Sequence, residues 1–385
     1  MARPNASGPD RPDSECNVLI AGAGVAGLEA AFALRELAGD RVKLRLLAPN
    51  DEFVYRPLAV GEPFNVSWAQ RYPLSGLAEQ AGAELVHDAL RDVDPQRHLA
   101  LTESGLELSY DALLLGLGTS LHQPHEHVTS VDDSRMDELL HGLVQDVEEG
   151  YLHRLAFIIP APIPWPLPAY ELALMTSQRA WDMQVDLAIT ILTPESAPLA
   201  AFGRAASERV ANLLGRREIE LITSADCDVP DAKTIRVHPG GRTLAVDRIV
   251  ALPELRGPGL PGLPHDASGF LAVDSHCKLK QVEAVWAAGD CTDSPVKHGG
   301  IAAQQADAAA RSIASFAGAI VEPQPFQPVV GGLLETGDEP MQLGVDTGDD
   351  GAHSGLAGVI GAMRAPKLVA RYLAPELKET AARRV

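Results

Sequence analysis

Apolar positions first fall into order at Asn17–Ala21, a short continuous run that predicts a buried strand. A glycine-containing turn follows. Apolar residues then recur at helical spacing over Leu28–Leu37, and Val42–Leu47 alternates as a second strand, so the chain opens as a βαβ unit of a parallel sheet. A second such rhythm comes later, with a strand at Leu155–Ile159, a helix at Ala169–Gln178, a strand at Asp186–Leu192 and a helix at Arg204–Arg216. Between and after these lie Tyr110–Thr119 (YDALLLGLGT), an apolar strand entering a glycine turn, and Val282–Asp290 (VEAVWAAGD), a strand ending in a carboxylate. A glycine pair then precedes the helical run Ile301–Phe316. There is no repeat of solenoid period, and Thr336–Gly355, acidic and glycine-rich, reads as a loop.

The pattern predicts an α/β protein with two Rossmann-like, three-layer (ββα) dinucleotide-binding domains. Its 385 residues suit two or three domains. The net charge of −20, from 32 Lys and Arg against 52 Asp and Glu, opposes phosphate backbones, so nucleic acid is not expected as a partner. Cys16, Cys227, Cys277 and Cys291 are scattered without a CxxC pair, a usage that fits a reducing cytoplasm. Met1–Glu15 is polar and lacks an apolar signal segment, and is expected to be a disordered leader. Leu155–Tyr170 is uncharged, but five prolines between Pro160 and Pro168 make it a strand and a stiff loop rather than a membrane helix.

Gly22, Gly24 and Gly27 form G-x-G-x-x-G between a strand and a helix. The first two allow a tight turn and close approach to a pyrophosphate; the third lets the helix pack on the sheet, its N–H groups facing the phosphate. The context is that of a dinucleotide site. The acidic residue expected about 20 positions on, to hold a ribose, is replaced by Ala48-Pro49-Asn50, leaving Asn50 or Asp51 as substitutes. Arg56, shortly beyond, is a further candidate cofactor contact, as are Gly118 and Thr119.

With the glycine turn, YDALLLGLGT and AGDCTDSPVKHGGIAAQQADAAA together, nearly the whole chain resembles the two-dinucleotide-domain flavoproteins, in particular sulfide:quinone reductases, flavocytochrome c sulfide dehydrogenase flavin subunits and type II NADH dehydrogenases. The resemblance implies a noncovalent FAD cofactor and a discontinuous FAD domain. The expected division is leader 1–15, FAD domain 16–148 and 257–322, a second NAD-type domain 149–256, and a C-terminal segment 323–385. In such proteins the aspartate of the AGD segment, here Asp290 after Gly289, holds the ribitol chain, and a helix N-terminus, here Gly299, Gly300 and Ile301, faces the pyrimidine edge of the flavin. Lys297 beside it is the candidate catalytic residue, since a positive charge there would stabilise reduced flavin. His298 stands where relatives often have Gln; Gln304 or Gln305 could face a quinone-like acceptor.

The second domain reads IIPAPIPWPLPAYELA where NADH-using relatives have a second glycine turn. Prolines lack N–H groups, so this loop disfavours nicotinamide binding. It resembles the flavocytochrome loop in which a redox cysteine precedes a PPxPYE-like run, but Trp165 occupies the cysteine's place and Tyr170-Glu171 ends the motif. Cys277 and Cys291 read as structural, so a paired-cysteine sulfide relay is not expected.

Two weaker patterns remain. His122, His125 and His127 lack companion ligands, and no metal is assigned. Leu368, Val369, Tyr372 and Leu373 in the basic tail Arg364–Val385 repeat on one helical face and are expected to dock on the protein's own core or a second subunit in preference to a membrane. The resulting expectation is a cytoplasmic FAD oxidoreductase, with contact at the inner membrane face left open, linking a small-molecule donor to a quinone or other acceptor. A type II NADH dehydrogenase-like enzyme, a sulfide:quinone reductase-like enzyme and a binding protein without catalysis are the alternatives. Donor, acceptor and oligomeric state are not legible.

Overall fold

A computed structural model describes residues 15–163, 165–344 and 367–382. The expected leader, apart from Glu15, and the 345–355 part of the expected acidic loop lie outside the described residues.

The opening βαβ unit forms as its pattern predicts, with β1 at Cys16–Ala21, α1 at Val25–Ala38 and β2 at Val42–Ala48. β1 is central in a five-stranded parallel sheet ordered Val285–Ala287, Ala112–Leu115, β1, β2, Ala83–His87. Its outermost strand arrives from far along the chain. Alternation along β1 makes the layers: Val18 and Ile20 pack under helices, while Leu19 and Ala21 pack toward the three-stranded meander of Leu90–Asp94, Leu99–Thr102 and Glu107–Ser109. The Gly299–Phe316 helix is alanine-rich on its buried face, through Ala302, Ala303, Ala306, Ala309 and Ala310, which lets it lie close against α1.

A second five-stranded parallel sheet runs Thr129–Ser130, Arg248–Ala251, Arg154–Ile158, Ala188–Leu192, Glu220–Ile222. Leu155 and Phe157 face the Leu167–Asp182 and Arg204–Arg216 helices, whereas Ala156 and Ile158 face a second meander spanning Asp226–Ala245. Both units are thus three-layered, a parallel sheet between helices and an antiparallel meander.

Two expectations are corrected. Part of the acidic stretch is a hairpin, Gly331–Leu334 paired with Met341–Gly344, because Leu334 and Leu343 are apolar positions that bury in the second core. In the tail, 367–372 is turn and coil and only Leu373–Ala382 is helical, so Leu368 and Val369 do not share a helical face with Leu373. Leu368, Tyr372, Leu373 and Leu377 are nevertheless buried in the first core, so the tail docks on the protein itself. Among the described residues no helix is long and apolar enough to cross a membrane.

Glu29, buried in α1 two residues past Gly27, fastens that tail. Its Oε1 accepts hydrogen bonds from the backbone N–H groups of Arg371 (2.7 Å) and Tyr372 (3.0 Å), and its Oε2 from that of Leu373 (2.6 Å). A carboxylate at a helix N-terminus satisfies otherwise orphaned donors and complements the helix dipole. Glu29→Gln should turn an amide N–H against one of those donors and destabilise the protein by about 2 kcal/mol or more. A thermal melt together with proteolysis of the C-terminal segment checks this; an unchanged melt would remove Glu29 as the anchor.

Candidate functional site

The glycine turn is shaped by close backbone packing. A Cβ on Gly27 would stand 1.8 Å from the Gly22 carbonyl oxygen, and one on Gly22 would stand 2.3 Å from the Gly116 carbonyl oxygen. Gly22 also has φ +101°, a conformation that favours glycine. Gly24, in contrast, faces open space, with nothing within 4 Å of where its Cβ would be. It is the N-cap of α1, and the helix's first turn has neither a side-chain cap nor an acidic residue. Its orphan N–H donors therefore point at a cavity, where an anion would satisfy them.

That cavity, of about 1090 Å³, runs between the two parallel sheets. Gly24, Asn50, Arg56, Gly118, Thr119, Gly289, Asp290, Lys297 and Gly299 all line it. Gly22 lines a neighbouring cavity of about 240 Å³ that Asn50 shares. Gly27, Gly300 and Ile301 lie outside both linings. Gly27 sits in the turn's packing, the Gly300 N–H donates to His298 Nδ1 at 3.2 Å, and Ile301 is buried in the interior.

Asp290 follows the Val285–Ala287 strand at its C-terminal end, where open α/β sheets bind ligands. Burial pushes its carboxyl up to about 6, offset in part by Lys297 and reinforced by Asp133. Among the described residues the carboxylate feels the charges of Lys297 and Asp133 but accepts no hydrogen bond, which a hydroxyl-bearing ligand would supply. Lys297 is turned onto the protein. Its Nζ donates to the backbone carbonyls of Asp290 (3.0 Å) and Thr292 and lies 3.9 Å from the centre of the Phe270 ring. Burial lowers the ammonium's pKa, and neighbouring Asp290 opposes this. Arg56 pairs with Asp133 at 2.9 Å.

The wall contributed by the second unit includes Trp165 among leucines and prolines. The Trp165 ring lies 4.4 Å from the His298 ring and 5.3 Å from that of Phe202, centre to centre. Burial pushes His298 down to about 4, so it is neutral at pH 7. The two glutamines differ from expectation. Gln304 clamps Val329 through paired backbone hydrogen bonds at 2.9 Å, and Gln305 Oε1 accepts from the Gly289 N–H at 2.8 Å, so both are committed internally and neither presents a free amide to an acceptor.

At the equivalent edge of the second sheet the strand-to-helix connection contains no glycine. Glu195, just past the Ala188–Leu192 strand, sits where a ribose carboxylate would be sought. It is consumed internally: Oε2 accepts from Tyr170 Oη (2.8 Å) and Thr193 Oγ1 (3.1 Å), and Oε1 from the Ala200 N–H (3.1 Å). Tyr170 is wholly buried in the second core. All four cysteines are buried and none lines the large cavity; Cys291 Sγ faces the carbonyls of Leu115 and Ala288, each at 3.4 Å. Among the described residues no three His, Cys, Asp or Glu side chains converge as metal ligands.

Sequence reasoning did not single out Asp133, Glu29 or Lys367, and it flagged Glu171 only as the end of a motif. Lys367 enters the cavity wall from 196 positions away from its partner Glu171, a pairing that no local spacing signals.

No protein-family model matches the chain. Among curated proteins, the sulfide-quinone reductase of Aquifex aeolicus (strain VF5) is 27% identical over 268 residues, or 63% of this chain; the match spans 59% of that relative's length. Among solved structures, the sulfide:quinone oxidoreductase of Aquifex aeolicus superposes with a TM-score of 0.76 at 19% identity, covering 85% of this chain and 83% of the other. A ferredoxin reductase from Rhodopseudomonas palustris gives 0.65 at 18% identity (87% and 83% covered), and an NAD-dependent persulfide reductase from A. fulgidus 0.62 at 17% (90% and 66%). The fold is that of the two-domain FAD/NAD(P)-binding oxidoreductases. Within that class the chain resembles sulfide-quinone reductase.

The isolated carboxyl of Asp290 yields a direct expectation. In cofactor-free protein its ¹³C resonance, assigned by loss in Asp290→Asn, should titrate with a midpoint of about 6. A midpoint in the ordinary aspartate range would mean that the cavity wall is wetter, or better supplied with donors, than described.

Proposed function

We propose that the protein binds FAD noncovalently in the large cavity and uses it to pass an electron pair from a small-molecule donor to a quinone-like acceptor. The observation that carries this reading is the bracketing of one cavity by the uncapped N-terminus of α1 at Gly24 and the unpartnered carboxylate of Asp290. The first suits a pyrophosphate and the second a hydroxyl-rich chain, which are the two recognisable parts of a flavin dinucleotide. Bound flavin would supply the two-electron chemistry. The protein's own part is to bind, orient and exclude water. Lys297 serves this reading as a positioning group, ordering the Asp290–Thr292 loop and setting a positive charge beside the cavity.

Donor identity is narrowed by what the second unit lacks. NAD(P)H has no open glycine turn there, and the Glu195 carboxylate is already satisfied by Tyr170, Thr193 and the Ala200 backbone. The name of the curated relative directs attention to sulfide, but no cysteine lines the cavity to form a persulfide relay. A sulfide reaction here would have to occur directly at the cofactor.

Two outcomes follow. If ribityl hydroxyls donate to ionised Asp290, binding favours the deprotonated form, whose folded pKa is raised to about 6. FAD affinity should therefore be full above that pH and fall as pH drops through it, by at most about tenfold per unit. Asp290→Asn should weaken binding about tenfold or more and flatten that dependence. Fluorescence titrations with FAD at several pH values test both; pH-independent affinity unaffected by the substitution would place the cofactor elsewhere. Mixed anaerobically with NADH, the flavin-loaded protein should keep its absorbance; rapid bleaching would restore the NADH dehydrogenase reading.

A further inference from the structure

Residues 367–372 lead into the docked Leu373–Ala382 helix as turn and coil. Where they meet that helix, the Glu29 carboxylate holds the N–H groups of Arg371, Tyr372 and Leu373. At their other end the chain lies along the cavity, whose wall includes Lys367 and Leu368. There the Leu368 N–H donates to Tyr55 Oη, and the His298 ring donates to the Lys367 carbonyl. The Leu368 side chain, 1% exposed, lies over the start of the Gly299–Phe316 helix, where a Cβ on Gly299 would stand 2.9 Å from its Cδ1. Lys367 Nζ reaches Glu171 of the second unit at 2.8 Å. One short coil segment therefore ties the two units together along the cavity.

The two ends of the segment are held unequally. From Arg371 onward the chain is fixed by the hydrogen bonds to the Glu29 carboxylate and by Leu373 and Leu377, which bury in the first core. Residues 367–370 belong to no helix or strand, and ordering them costs backbone conformational entropy at every position. Against that cost stand the burial of Leu368 and Ala370, two hydrogen bonds to neutral side chains, and an ion pair whose desolvation offsets much of its attraction. These opposing effects are of similar size, which places 367–370 at the low end of the molecule's local stability. A ligand filling the cavity touches Lys367 and Leu368 only while they are docked. Binding then favours docking, and docking favours binding by the same factor.

We propose that residues 367–370 are a strap over the cavity, hinged where Glu29 holds the chain: the strap lifts to admit FAD, and the docked strap and the bound cofactor then hold each other in place. The inference rests on the reading of the cavity as a flavin site. Leu368 and Tyr55 are the contacts that set the strap's position, the leucine by covering Gly299 and the phenol oxygen by accepting the Leu368 N–H. The Glu29 anchor keeps the lifted segment close to its seat, so redocking is a local step.

The test uses the full-length protein with and without FAD. Amide hydrogen exchange, followed by mass spectrometry of peptides covering 367–372 and 373–382, should slow about tenfold or more in the first on FAD binding and change less than about twofold in the second. Stopped-flow fluorescence then gives the rates of FAD association and release. Leu368→Ala should speed release about tenfold and also speed association about threefold, because a weakened strap is open more of the time. Loss of a direct contact to the cofactor would speed release alone. Tyr55→Phe keeps the ring and removes the acceptor of the Leu368 N–H; it should move both rates in the same directions, and it carries the kinetic test if Leu368→Ala fails to fold. Exchange over 367–372 that does not respond to FAD, or faster release with unchanged association, overturns the strap. Failure of the unsubstituted protein to take up FAD overturns instead the reading on which the strap rests.

Discussion

Three backbone segments meet at the start of this fold with no room for a side chain. Gly27 of α1 lies on the carbonyl of Gly22, and Gly22 lies on that of Gly116 at the end of the neighbouring strand. This contact fixes the height and direction of α1 over the parallel sheet, and much of the site follows from it. The helix N-terminus opens into the cavity at Gly24, and Glu29, two residues beyond Gly27, is carried to the point where it can hold the tail. The tail in turn brings Lys367 and Leu368 into the cavity wall. A Cβ at Gly27 would not be absorbed by a flexible neighbour, because the atoms it meets are backbone.

The two units share an architecture and differ at one edge. In the first, the strand-to-helix turn is made of glycines and leaves N–H groups free for a ligand. In the second, the turn is made of prolines, and the position of a ribose carboxylate is occupied by Glu195 already satisfied through Tyr170. The second unit still contributes to the cavity it shares with the first, through the Trp165 ring, which packs on buried Phe202, and the carboxylate of Glu171. Fold and ligand are separable in this way because the sheet is held by its layers, whereas binding depends on a few residues at strand ends.

Local signals carried most of the architecture. The β1–α1–β2 unit, the Arg204–Arg216 helix and the strand before Asp290 were legible because their apolar periods agree with turn chemistry on either side. The placement of the glycine turn and Asp290 at the cavity was legible, since spacing and strand ends put both at the edge of the sheet. What was not legible depends on distant partners. Lys297 could not be told from sequence to fold back on the Asp290–Thr292 carbonyls, nor Gln304 to clamp Val329, because a long polar side chain takes whichever acceptor tertiary packing brings near. The Met341–Gly344 strand was hidden by acidic and glycine-rich flanks, and the Glu171–Lys367 pair by its separation along the chain.

The central proposal for this protein is a flavin held noncovalently in the cavity between the sheets. Its most direct test is the flavin content of the purified protein, measured as chromophore released on heat denaturation per chain. The account predicts a yellow protein that releases intact FAD, approaching one per chain after incubation with the cofactor. A colourless protein that takes up no FAD under those conditions would contradict it.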